Sequence, residues 1–155
     1  MGGVRAVVAA IVVGGIAAGA LDIVYAFTVY GVRGVAPLTI LQSIASGVLG
    51  REAFRGGVET GALGAALHFF MTGVMAAVFV VASLVLPWLR ERAVQWGMIY
   101  GGAIFLVMNF VVVPLSRAGG ALPPPELYAA GFVVHVLLVG LPIALIARRT
   151  LGDPR

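Results

Sequence analysis

The sequence contains no cysteine and no lysine, and only 10% of its 155 residues are charged. Without cysteine the chain can form no disulfide, no thiolate metal site and no iron–sulfur cluster. Without lysine it cannot form a Schiff base, which excludes a retinal-type pigment. The scarcity of charge also excludes an ordinary soluble domain, in which about a quarter of the residues are charged.

Apolar residues take the place of the missing charges. The chain is 61% hydrophobic, with a mean hydropathy of +1.10, and a soluble fold of this length could not bury so much apolar surface. The net charge of +4 comes from arginines that lie between the apolar runs. We therefore expect those arginines to set topology and contact lipid headgroups. The expected partner is the lipid bilayer and not a nucleic acid.

Four apolar runs are long enough to cross a bilayer, which takes about 20 residues. The predicted spans are residues 4–28, 62–86, 94–114 and 127–146. A shorter helix is predicted at about 37–50, where an uncharged polar face suits an interfacial or re-entrant position. It is interpreted either as an interfacial anchor or as a lid over the bundle. The predicted fold class is all-α: one integral membrane domain, residues 1–155, formed by a four-helix bundle with this additional helix in its first loop.

Four spans place both termini on one side of the membrane. Six of the ten arginines fall on that side, which predicts cytoplasmic termini by the positive-inside rule; they are Arg5, Arg90, Arg92, Arg148, Arg149 and Arg155. In the first span, Gly14/Ala18 and Gly15/Gly19 form small-xxx-small pairs that allow another helix to approach closely. These pairs make a homo-oligomer, such as a dimer, a plausible assembly.

Each predicted span carries one strongly polar side chain at a similar depth. These residues are Asp22, His68, Asn109 and His135. Counted from the predicted outer ends of the spans, they lie roughly 8–12 Å below the membrane edge. Because an unpaired polar group in hydrocarbon costs several kcal/mol, we expect them to face inward. Asp22 and His68 are expected to pair directly, Tyr25 to donate a hydrogen bond to Asp22, and Gln42 to support the layer.

This polar layer is compatible with three functions. It could hold the bundle together, since buried polar groups also act between membrane helices as structural contacts. The leading interpretation is transport or conduction of protons or a small solute through Asp22 and His68, because intramembrane ionisable residues often mark such paths. Asn109, His135, Tyr25 and Gln42 would support that path. Pro142 and the nearby glycines would supply mobile points.

The alternative is a cofactor or metal site. His68 and His135, on different spans at one depth, could act as axial ligands of a haem. Met71 and Met75 follow His68 by three and seven residues, which would suit a soft copper site. A hydrolase is disfavoured, since no serine lies in a nucleophile-elbow motif, and we do not expect an enzyme.

Scattered residues of the second half resemble a known group of proteins. They are His68, Leu86-Pro87, Gln95-Trp96-Gly97, Gly101, Val113-Pro114-Leu115, His135 and Arg148-Arg149. Over residues 64–149 the chain resembles the YagU-like family of bacterial inner-membrane proteins. Asn109 departs from the pattern, where another histidine would be expected. The resemblance implies a bacterial inner-membrane protein of unassigned biochemistry. The expected location is the inner membrane of a bacterial or archaeal cell.

Overall fold

The computed structural model describes residues 2–119 and 124–152, and within this part every regular element is helical. The helices are α1 (Gly2–Gly31), α2 (Pro37–Leu49), α3 (Gly57–Val85), α4 (Trp88–Glu91), α5 (Ala93–Leu115) and α6 (Pro125–Leu151). A 3-10 turn, Gly50–Arg55, joins α2 to α3. Helices α1, α3, α5 and α6 are long and apolar enough to cross a membrane. The predicted all-α bundle is confirmed.

The helices run past the predicted spans by a few residues. Helix α3 begins at Gly57, five residues before the predicted span, and carries Glu59 in its first turn. The prediction began later because hydropathy marks only the part of a helix that lies in the hydrocarbon region. Helix α2 follows the predicted bounds closely, with Pro37 in the first turn, where a missing N–H costs nothing. Arg155 lies outside the described residues. The connection between the third and fourth predicted spans is described only in part.

Helices α1 and α3 are antiparallel and touch at glycines. A Cβ on Gly15 would lie 2.8 Å from the Cα of Gly73, and a Cβ on Gly19 would lie 2.8 Å from Thr72 Oγ1. No larger residue fits without separating the helices. The small-xxx-small pairs of α1 are therefore used within the chain, since Ala18 is also fully buried. The homo-oligomer stays a prediction.

Helices α5 and α6 form a second close antiparallel contact. A Cβ on Gly101 would collide with the carbonyl oxygen of His135 and lie 2.7 Å from the Cα of Val136. A Cβ on Gly140 would collide with the backbone of Gly97 and Gly101. Since α1 also lies antiparallel to α6, with Gly14 beside Ile143, the spans alternate in direction. Gly2 and Gly152, the ends of the described chain, thus lie at the same end of the bundle, which we call the inner end.

The inner half of the bundle is filled by an apolar plug, defined as Ala76, Phe79, Val80, Val139 and Ile143. These residues are between 0% and 2% exposed. Packing this complete leaves no room for water between the helices.

Two polar side chains tie the helices together in the same half. Arg90 donates from Nε to the Ser83 carbonyl at 3.2 Å and from Nη1 to the Gly152 carbonyl at 3.1 Å. It therefore caps the ends of both α3 and α6 with positive charge. Tyr100 of α5 donates to the Met75 carbonyl of α3 at 2.7 Å.

Two spans contain widened π-helical turns. They are Met108–Val112 in α5 and His135–Gly140 in α6. Each lies just before a proline, Pro114 or Pro142. A proline lacks the N–H that the carbonyl four residues earlier would bond, and its ring clashes with that carbonyl, so the helix widens there. The second of these turns, which begins at His135, ends two residues before Pro142, where a mobile point is predicted.

Candidate functional site

The outer half of the bundle, away from the termini, contains a main cavity of about 490 Å³ that is partly open to the surroundings. Helices α1, α2, α3, α5 and α6 all contribute to its wall. Most of the wall is apolar. Its polar residues are Asp22, Tyr30, Thr39, Ser43, His68, Thr72 and His135. Three of the four predicted polar-layer residues thus share one cavity.

A smaller cavity of about 200 Å³ shares Asp22 and His135 with the main cavity. Asn109 and Tyr25 line it, together with Tyr128. The hydroxyl of Tyr128 is buried and has no hydrogen-bond partner within residues 2–119 and 124–152. Asn109, the fourth member of the predicted layer, and Tyr25 therefore line a cavity beside the main one.

His68 bridges α3 and α1 through the backbone. Its Nε2 lies 2.9 Å from the carbonyl oxygen of Gly19, and since a carbonyl can only accept, Nε2 carries the hydrogen. The expected pair with Asp22 is wrong in this structure: across the described chain, no hydrogen bond or ion pair joins the two residues. The close approach of α1 and α3 at Gly19 brings this carbonyl within hydrogen-bond distance of His68.

His135 and Asn109 are satisfied within their own helices. His135 donates from Nδ1 to the Gly131 carbonyl at 2.9 Å, and Asn109 donates from Nδ2 to the Phe105 carbonyl at 2.9 Å. The predicted hydrogen bond from Tyr25 to Asp22 is not formed. The polar layer is therefore a set of side chains anchored one by one to the backbone, and not a connected network.

Asp22 is the exception to this anchoring. Within the described residues its carboxylate accepts no hydrogen bond and joins no ion pair. It is half-buried and borders both cavities. A carboxylate in such surroundings is costly without a partner, so it is the group in the site with most to gain from a ligand.

Gln42 does not line either cavity. It is 6% exposed and donates from Nε2 to the Gly57 carbonyl at 3.0 Å and to Thr60 Oγ1 at 3.3 Å. It thereby fastens α2 to the first turn of α3. Its position corrects the expected role as a support of the polar layer.

Helix α2 forms a wall of the main cavity, and its interpretation as an anchor or as a lid stays a prediction. It starts beside the end of α1, and its end is held where the Arg117 N–H donates to the Gly47 carbonyl at 2.9 Å. The face predicted to be apolar is only partly buried, since Val48 is 51% exposed while Ser46 is 4% exposed. The helix turns several of its polar residues towards the bundle.

The soft ligands predicted for a metal are also in the wall. Met71 and Met75 line the main cavity with His68 and His135, and Met108 of α5 joins them. Within the described ranges no group of three or more His, Cys, Asp or Glu residues is placed to hold a metal ion.

Sequence reasoning missed several residues of the wall. Thr72 follows His68 by four residues, so helical spacing alone places it on the same face. Met108 precedes Asn109 and thus shares its depth. Tyr30 follows Asp22 by eight residues on α1, so helical spacing also places it on the same face. Ser43 carried no such signal, because the position of α2 over the bundle depends on its contacts with the glycines of α3.

The fold and the cavity define a multi-pass helical membrane protein with a largely apolar cavity, lined in part by polar side chains, in one half of its bundle. No family model, no curated protein and no solved structure matches the chain. The resemblance to the YagU-like family stays a prediction that rests on single positions.

Proposed function

We propose that this protein is a small membrane transport protein that takes a solute into the main cavity and releases it on the other side. The observation that supports the proposal is the shared cavity. Five helices line it, and among the described residues Asp22 is the one acidic side chain in the interior of a spanning helix. Its position beside His68 and His135 combines charge and proton-exchanging groups in one chamber.

The apolar plug favours a transporter over an open pore. Ions and water cannot pass Val80 and Ile143 while these side chains are fully buried. Passage therefore requires a second arrangement in which the inner half opens and the outer half closes. The widened turns at 108–112 and 135–140 are the places where α5 and α6 can bend, since their backbone hydrogen bonds are already rearranged.

The orientation belongs to the same proposal. Cytoplasmic termini would place the arginine-rich inner end against the anionic leaflet of a bacterial or archaeal inner membrane. The main cavity would then lie in the half of the membrane away from the cytoplasm.

The absence of native cysteine provides a direct test that needs no known solute. A single cysteine at Met71, a residue of the main-cavity wall, is expected to react with a membrane-impermeant trimethylammonium methanethiosulfonate. Labelling is measured by mass spectrometry in right-side-out and inside-out vesicles. A transporter that alternates between two arrangements exposes this thiol to both sides.

Val74→Cys is the matched control, because Val74 lies one turn from Met71 and is 40% exposed on the outside of the bundle. It should remain unlabelled in lipid. Reaction of Met71→Cys from one side only would indicate a binding chamber with a single entrance. No reaction from either side would indicate a sealed structural cavity. Either result contradicts transport.

A second candidate is a site for a soft metal ion such as Cu(I). Three thioethers and two imidazoles in one wall favour it, because such ligands select soft metals. Titration of the purified protein with Ag(I), followed by metal analysis, should give a stoichiometric ion that is lost in a Met71→Leu, Met75→Leu double variant. An absorption spectrum of the same preparation tests the haem alternative. A haem ligated at His68 Nε2 would have to displace the bond to the Gly19 carbonyl.

A further inference from the structure

The main cavity carries one formal charge. Asp22 supplies it, and no arginine is among the described residues of the wall. A positive ligand is therefore favoured over a negative one, since an anion beside an unpaired carboxylate in apolar surroundings is strongly disfavoured.

The polar hydrogens of the wall are largely committed to the backbone. His68 and His135 each donate one ring N–H to a carbonyl. Ser43 donates to the Ile40 carbonyl at 2.7 Å, and Thr72 donates to the Phe69 carbonyl at 3.1 Å. What these side chains retain are lone pairs: the second nitrogen of each neutral imidazole and the oxygens of the two hydroxyls.

The site thus offers acceptors to a ligand that brings donors. Tyr30 and Thr39 are the two wall residues whose hydroxyl hydrogens remain uncommitted. An ammonium group supplies three N–H donors and one positive charge. It would satisfy Asp22 and at the same time use the free lone pairs of the histidines.

The rest of the wall selects the body of the ligand. Ile23, Ile44 and Val139 line the cavity with the methionines, and its volume of about 490 Å³ lies in the range of small-molecule sites, about 300–1,000 Å³. A bare metal ion would leave most of this space unfilled. A hydrocarbon body would fill it and bury apolar surface.

We propose that the main cavity binds a small organic monocation, a primary ammonium with a compact hydrocarbon body, and that Asp22 is its charge partner. This rests on the proposed function in naming the solute, while binding itself can be measured without transport.

The test is equilibrium binding to the full chain in detergent, by calorimetry with four matched probes: cyclohexylammonium, cyclohexyltrimethylammonium, cyclohexanol and cyclohexanecarboxylate. Cyclohexylammonium should bind most tightly. The trimethyl form should be weaker, because it has no N–H donors, and the neutral and anionic probes should not bind measurably. Asp22→Asn should weaken cyclohexylammonium at least about thirtyfold, while Glu59→Gln, an acid outside both cavities, should leave it unchanged.

A second variant keeps the test independent of any folding defect in Asp22→Asn. Ile44→Trp narrows the cavity from α2 without touching the carboxylate and should also abolish binding, with helicity checked by circular dichroism. Equal affinity for cyclohexanol, or full affinity in Asp22→Asn, overturns the proposal. So does stoichiometric Ag(I) without amine binding, which would assign the cavity to a soft metal. Amine binding together with thiol labelling from one side only would contradict transport and support the organic monocation as the ligand. Labelling from both sides without amine binding would support transport and contradict the organic monocation.

Discussion

Replacing Gly101 with alanine is expected to destabilise the bundle through a collision that no rotamer can relieve. The new methyl group would meet the carbonyl oxygen of His135 and lie 2.7 Å from the Cα of Val136. Carbon atoms pack at about 3.5–4.0 Å, so α5 and α6 would have to separate by about 1 Å. Overpacking of this kind costs typically about 1–3 kcal/mol. We expect the upper end because both collisions are with backbone.

Gly73→Ala is the matched control. A Cβ there meets nothing within 4 Å, so this variant shares the gain in helix propensity, about 1 kcal/mol, without the collision. The two variants should differ by about 3 kcal/mol in the free energy of unfolding, measured by titration with SDS in mixed micelles. If the difference is less than about 1 kcal/mol, the close contact of α5 and α6 does not limit the size of this residue, and the reasoning is refuted.

Three further predictions concern the inner half and the widened turns. Arg90→Ala should cost about 2 kcal/mol, because charged hydrogen bonds to two helix ends are lost, whereas exposed Arg92→Ala should change the unfolding free energy by less than about 0.5 kcal/mol; equal effects would contradict the capping role. Tyr100→Phe keeps the ring and removes the bond to the Met75 carbonyl, so a loss of about 1 kcal/mol is expected in the same assay, and no loss would count against that bond. Pro142→Ala restores a backbone N–H, and hydrogen exchange should show a protected amide at that position; an unprotected amide would mean that proline is not what widens the turn.

The spans could be predicted from the sequence because the bilayer imposes a simple rule on length and apolarity. The polar layer could be predicted for a similar reason, since counting residues from the span ends gives the depth of each side chain. Equal depth was enough to predict that Asp22, His68 and His135 lie close together, and they line one cavity. The partners of these residues could not be predicted. Depth does not determine whether an imidazole hydrogen-bonds to a carboxylate or to a carbonyl. At His68 the close packing of α1 and α3 around Gly19 places a backbone carbonyl within reach, and the imidazole bonds to it.

The role of Arg90 shows the same limit. By sequence it is one of several arginines between apolar runs, and the positive-inside rule treats them alike. Only the folded chain shows that Arg90 is 9% exposed and bound to two carbonyls, while Arg92 is exposed. The position of α2 could not be predicted from the sequence either, because it depends on a close contact between Gly64 of α3 and the backbone of Leu41 that only the fold reveals.

The cavity wall supplied by α2 has a consequence for how such a protein can diverge. The spanning helices meet at glycines where even a methyl group collides, so their facing surfaces tolerate few substitutions. Helix α2 lies in a connection and also meets α3 closely, at Gly64, but that contact is made by Leu41 and Ala45. Its Ser43 and Ile44 line the cavity instead. Over evolutionary time, changes in ligand preference are therefore expected to accumulate in this thirteen-residue helix, while the membrane bundle beneath it is kept.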